Sequence, residues 1–89
     1  MLKIMVRQAT EIELQQCQSW ALWESGDTDV FEYKYDQDVQ FVVQSGEAVI
    51  RSQFDDEVII SPGCHVVIKR GVEGKWKITA PVSNRYRYL

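Results

Sequence analysis

From residue 30 onward, side-chain character changes with a period of two. Phe31, Tyr33 and Tyr35 alternate with Glu32 and Lys34, and Trp76 and Ile78 alternate with Lys75 and Lys77. Successive side chains of an extended chain point to opposite faces, so this pattern specifies strands with one buried and one wet face. Turn residues cut the chain into short pieces at Ser25-Gly26-Asp27, Ser45-Gly46, Asp55-Asp56, Ser61-Pro62-Gly63 and Arg70-Gly71. In the fourth of these, Pro62 presets one turn angle and Gly63 accepts a positive one. Many short strands at even spacing predict a β-sandwich or barrel.

The strands are expected as follows. Leu2, Ile4 and Val6 share one face, with Lys3 and Arg7 on the other. Further strands cover 30–35, 39–43, 48–51 (after a break or bulge at Ser45-Gly46), 58–60 and 65–68. The last two are 74–79 and, opened by Pro81, 82–88. Thr10 with Glu13 three residues later is a capping box, which predicts a short helix from about residue 11 to 17, the one convincing helix signal.

The 89 residues allow one domain, 1–89, and show no internal repeat or linker. A chain this short buries a limited core, which leads us to expect a homodimer. The net charge of −3 lacks the dense basic surface that nucleic acid requires, so no nucleic-acid partner is expected. Cys17 and Cys64 form no Cys-x-x-Cys pair and are expected as reduced thiols. No stretch is apolar for long enough to span a bilayer, and the N-terminus lacks the apolar core of a signal peptide. A cytoplasmic protein without a membrane partner is the expectation.

Taken in order, the motifs Trp20-x-x-Trp23-Glu24, Phe31-x-Tyr33-x-Tyr35, Gly46-Glu47-Ala48-Val49, Gly63 to Gly71, and Trp76-x-Ile78-x-x-Pro81-Val82 with Tyr86 resemble the small single-domain cupins. They are most similar to the group related to the cupin domain of ureidoglycine aminohydrolase. The resemblance covers nearly the whole chain. It implies an all-β, cupin-type jelly-roll β-barrel of about six to eight strands with one short N-terminal helix. In metal-binding cupins it implies two His and a Glu from a first motif and one His from a second. Anchoring those motifs on Gly46 and Gly71 places the four ligand positions at Tyr33, Tyr35, Val39 and Gly74. Val and Gly offer no donor, and a phenol is a rare ligand beside imidazole or carboxylate. No metal and no other cofactor is therefore expected.

If those four positions face the interior, the period of two places Phe31, Phe41, Val43, Trp76 and Ile78 there as well. Glu32, Lys34, Gln40, Lys75, Lys77 and Thr79 then face outward. Val42 would be an apolar outward residue suited to a second sheet or a subunit contact. The candidate ligand-binding lining is Trp23, Glu24, Phe31, Tyr33, Tyr35, Phe41 and Trp76, offering aromatic faces to a small organic molecule. No catalytic residue is assigned. Two other readings stand beside this one. The first is a metal-independent enzyme on a small nitrogenous or sugar-like substrate, with Glu24 or a tyrosine as acid or base. The second is a structural or interaction module with a filled barrel. Glu24 has a bland alternative, a salt bridge with Arg85 or Arg87. The lone His65 is read as structural or surface, with Cys64 on the opposite face, and the run Asp55-Asp56-Glu57 as a solvated turn. The alternation Arg85-Tyr86-Arg87-Tyr88 carries a minor single-stranded nucleic-acid reading.

Overall fold

The computed structural model describes residues 3–89, so the expected position of Leu2 lies outside the described residues. The described chain is almost wholly β. Strand β1 spans Ile4–Gln8, and helix α1 spans Glu11–Gln16. Strands β2 (Ala21–Glu24), β3 (Val30–Lys34), β4 (Val39–Arg51), β5 (Glu57–Ile60), β6 (Cys64–Ile68) and β7 (Glu73–Tyr88) follow. The order across the sheet is β1-β6-β4-β7-β2, with β3 added on β7 and β5 on β4. All pairings are antiparallel. This is the all-β architecture expected from the residues, and the jelly-roll that the resemblance implies.

Two long strands make the barrel. The first half of β4 pairs with β6 and with the end of β7, and its second half pairs with β5 and with the start of β7. Strand β7 carries β3 on its first half and β2 on its second. Each long strand therefore passes from one wall to the other. The passage is a bulge, where the β4–β7 register shifts between Val43 and Ala48. Gly46 has φ +84°, and a Cβ on it would overlap the Pro81 carbonyl oxygen, so only glycine fits.

Pro81 corrects one expectation. The residue pattern opens a new strand at Pro81, but β7 runs unbroken through it. Glu47 pairs with Ala80 and Ser45 with Ser83, so Pro81 and Val82 sit in the bulge. There the missing proline N–H leaves no ladder bond unmade. Ser25 ties the same corner to the turn after β2. Its Oγ accepts from the Val82 N–H at 2.8 Å, and its N–H donates to the Val82 carbonyl at 2.9 Å.

The helix forms where the capping box predicts, one residue shorter than expected, with Cys17–Ser19 continuing as a turn of 3-10 helix. Glu13 N–H donates to Thr10 Oγ1 at 3.2 Å and Thr10 N–H donates to Glu13 Oε1 at 2.9 Å. This segment settles Val42. The residue is fully buried on the outer face of the sheet, covered by Ala9, Cys17 and Trp20 of the same chain. The residues flanking a short polar helix, Ala9 before it and Cys17 and Trp20 after it, do what a second sheet or subunit was expected to do. No helix among the described residues is long and apolar enough to cross a membrane.

Candidate functional site

The barrel interior divides along its length. One part is packed solid by aliphatic side chains, with Ile50, Ile60, Val66 and Ile68 fully buried. The other is aromatic. Trp76 is its hub, with ring centroids 5.5 Å from Trp23, 5.3 Å from Phe31 and 5.8 Å from Phe41. Register explains the grouping. Phe31 pairs with Trp76, Trp23 with Asn84, and Phe41 with Tyr86, and paired residues project to the same face. Each such ring pair contributes about 0.5–1.5 kcal/mol beyond area burial.

The rings do not fill the space between them. A cavity of about 200 Å³ remains, bounded by Trp23, Phe31, Tyr33, Tyr35, Val39, Phe41, Trp76, Asn84, Tyr86 and Tyr88. Its mouth carries Tyr33 and Tyr88, the most exposed of these at 45% and 47%. The Tyr88 hydroxyl is pushed up to about 12, first by its hydrogen bond with Tyr33 and then by burial. Deeper in, Tyr35 OH accepts from Trp76 Nε1–H at 3.1 Å. Burial pushes the Tyr35 phenol well above the ordinary tyrosine range, so it stays neutral. No side chain bounding the cavity carries a formal charge at neutral pH.

Six of the candidate residues, Trp23, Phe31, Tyr33, Tyr35, Phe41 and Trp76, come together on this cavity. Glu24 does not. It is exposed, pairs through its backbone with Ser83, and lies one residue out of phase with Trp23. Its carboxylate is therefore turned away from the interior, and no salt bridge joins it to Arg85 or Arg87 among the described residues. Those arginines are engaged elsewhere on the outer face. Arg85 Nη1 donates to the Trp20 carbonyl at 3.3 Å and Arg87 Nε to Gln40 Oε1 at 2.8 Å, with the Arg87 guanidinium over the Trp20 ring.

Val39, Asn84, Tyr86 and Tyr88 bound the cavity without having been candidates. The signal for the last three was the same period of two, since positions 82, 84, 86 and 88 share a face. Taken as a basic-aromatic alternation, that segment hid its inward half.

The four positions corresponding to cupin metal ligands do not suit a metal. Tyr33, Tyr35 and Val39 reach the cavity, and Gly74 pairs with Tyr33 across β3 and β7. A Cβ on Gly74 would lie 3.2 Å from Tyr35 Cε2, so the Tyr35 ring covers the glycine and takes the room a larger side chain would need. Its hydroxyl is bonded to Trp76 and its phenol resists ionisation, the opposite of what a ligand requires. Among the described residues, no three of His, Cys, Asp or Glu cluster as a metal site.

His65 lies on the other side of the sheet, paired with Val42, and is 4% exposed. Arg87 donates to Gln40 Oε1, which fixes the Gln40 amide, so Gln40 Nε2 donates to His65 Nε2 at 2.8 Å. A ring nitrogen that accepts is unprotonated. Burial, followed by the Arg7 charge, lowers the His65 pKa in agreement. Glu13 Oε2 stands 3.4 Å from the same nitrogen and is bound by Arg7 at 2.6 Å. His65 is therefore a structural group under α1. Cys17 and Cys64 are both free thiols, the first buried.

Comparison with known proteins agrees with this architecture. The sequence profile of the EutQ-like cupin domain matches residues 13–86. A DUF861 family protein from Thermotoga maritima superposes with a TM-score of 0.89 at 20% identity, over 97% of this chain and 99% of that one. The EutQ protein of Clostridium difficile gives 0.62 at 18% identity, over 96% of this chain and 67% of that one. A DUF1255 protein of unknown function from Acidithiobacillus ferrooxidans also gives 0.62, at 17% identity, over 65% of this chain and 56% of that one. No curated protein matches the sequence.

Proposed function

The chain belongs to the EutQ-like cupin domain family, and from that premise we propose that it binds a small organic molecule in the aromatic cavity of its barrel without a transition metal. The observation that carries this reading is the cavity itself. Its lining is almost wholly aromatic, it opens past Tyr33 and Tyr88, and its walls come from β2, β3, β4 and β7 together. Barrels of this size are ordinarily filled by their own side chains, so unfilled space between rings asks for an occupant. The substitutions at positions 33, 35, 39 and 74 support the metal-free part. The likeness of the motifs to aminohydrolase cupins extends to the barrel and not to that chemistry.

The test has two parts. Single-ring and fused-ring compounds are titrated into the purified protein while tryptophan emission is followed, since Trp23 and Trp76 both face the cavity. A saturable change lost in a Phe31→Ala, Phe41→Ala double variant is the expected result. Elemental analysis of the same protein is expected to give far less than one transition metal per chain. A near-stoichiometric metal, or the absence of any saturable probe, overturns the reading.

A further inference from the structure

The cavity lining is uncharged although the strands that build it are dense with charge. Glu32 and Lys34 flank Tyr33, Lys75 and Lys77 flank Trp76, and Arg85 and Arg87 flank Tyr86, yet all six lie one residue out of phase with the interior. Five of the six are exposed, and the sixth, Arg85, is tied to the Trp20 carbonyl on the outer face. What remains on the cavity is eight aromatic side chains, Val39 and the neutral amide of Asn84. The hydroxyls keep their protons. Burial holds the Tyr35 phenol above the ordinary tyrosine range, and the Tyr88 hydroxyl is pushed up to about 12, first by its hydrogen bond with Tyr33.

Resting on the cavity reading, we propose that the site selects its ligand by charge: the guest is a neutral, mostly apolar molecule no larger than one ring or a small fused pair, and anions and cations of the same shape are excluded. The size follows from the volume. An apolar cavity of about 150 Å³ takes a benzene ring, so about 200 Å³ takes one ring or a small fused pair. The exclusion follows from solvation. An ion that enters leaves its water behind, and no side chain of opposite sign on the lining replaces it. Rings attract a cation, so the magnitudes decide. A cation over one desolvated ring face gains a factor of about 30 in affinity, while an unpaired ion stripped of water loses about three powers of ten or more. Phe31 and Trp76 also spend a face on one another, lying 21° from parallel with centroids 5.3 Å apart. A neutral guest pays no such penalty, and its apolar surface leaves water as it enters.

The experiment uses matched probes. Benzamide, benzoate and benzamidinium share nearly the same outline, and at neutral pH the first is neutral, the second an anion and the third a cation. Toluene is the apolar control. Binding is followed by amide chemical shifts of the isotope-labelled full chain at fixed pH and ionic strength, and shifts around residues 23, 31, 76 and 84 place a probe in the cavity. Toluene and benzamide are expected to saturate, with benzamide bound at least about tenfold more tightly than either ion. An ion bound as tightly as benzamide, or more tightly, overturns the charge selection and leaves the cavity reading standing. Rejection of benzamide together with the ions while toluene binds overturns it as well, because the site then reads polarity and not charge. Failure of toluene and all three isosteres to shift those residues overturns the cavity reading itself. Val39→Trp, which fills the cavity, is expected to abolish the shifts from every probe. The ratios on the unaltered chain decide the matter even where that variant does not fold.

Discussion

The indole N–H of Trp76 donates to the hydroxyl of Tyr35 across 3.1 Å inside the barrel. The bond joins the residue at the hub of the aromatic cluster to a position where metal-binding cupins would carry a histidine. Tyr35 → Phe leaves that N–H buried and unpaired, and is expected to destabilise the fold by about 1–3 kcal/mol in denaturant titration. Burial of the same phenol, which outweighs the opposing effect of this bond on its pKa, has a signature in alkali. The folded Tyr35 holds its proton above the ordinary range while the unfolded one loses it near pH 10, so stability falls as pH rises above about 10. Phe at position 35 is expected to flatten that part of the profile.

Gly46 → Ala is expected to be among the most damaging substitutions in the chain. It places a methyl group on the Pro81 carbonyl at a positive φ, and both atoms belong to backbone that cannot swing aside. A loss of about 3 kcal/mol or more is expected, which for a domain this size lowers the melting temperature by well over 10 °C. Gly26, Gly63 and Gly71 have open space around them, so alanine there meets only the conformational penalty.

Acid is expected to loosen the helix side of the barrel in two stages. His65 is neutral in the fold, and its pKa is lowered from 6.5. The unfolded chain takes up a proton that the folded one resists, so stability begins to fall as pH drops below about 6.5. Glu13 has the lowered pKa of a bound carboxylate, about 2, set first by Arg7 and then by the Thr10 N–H. Its contribution is complete above about 4.5 and is lost as pH falls toward 2. Glu13 → Gln is expected to remove that second stage in acid unfolding followed by circular dichroism. It is expected to cost about 1 kcal/mol at pH 7, given solvent screening of the pair.

Asn84 → Leu is expected to raise stability by about 1 kcal/mol, because it replaces an unpaired buried carbonyl with hydrocarbon. A site residue whose removal strengthens the fold is retained for something other than folding. A fall in stability on this substitution would show that the amide is satisfied in solution.

Much of the fold was legible because strand faces are a local property. Phe31, Tyr33 and Tyr35 had to share a side, and Trp76 had to oppose Lys75 and Lys77, whatever the strands paired with. The capping box was equally local, since Thr10 and Glu13 complete it within one turn. Legibility failed where an outcome depends on a distant partner. Pro81 reads as a strand start until Ser45 and Glu47 are seen to leave it in a bulge. Val42 reads as an outward anomaly until Cys17 and Trp20 fold over it. Glu24 belongs to the same motif as Trp23, yet adjacency along a strand separates the two across the sheet.

By itself, then, the amino-acid sequence determined an all-β sandwich or barrel with one aromatic side, and the resemblance to cupins added which positions, 33, 35, 39 and 74, to compare with metal ligands. The first rests on side-chain chemistry and a two-residue period that the backbone imposes everywhere. Only the tertiary structure decided that the rings leave room between them and that Asn84 lies on that space without a partner. Packing and hydrogen-bond satisfaction depend on β2, β4 and β7 arriving together at one register, and no short stretch of chain contains that information.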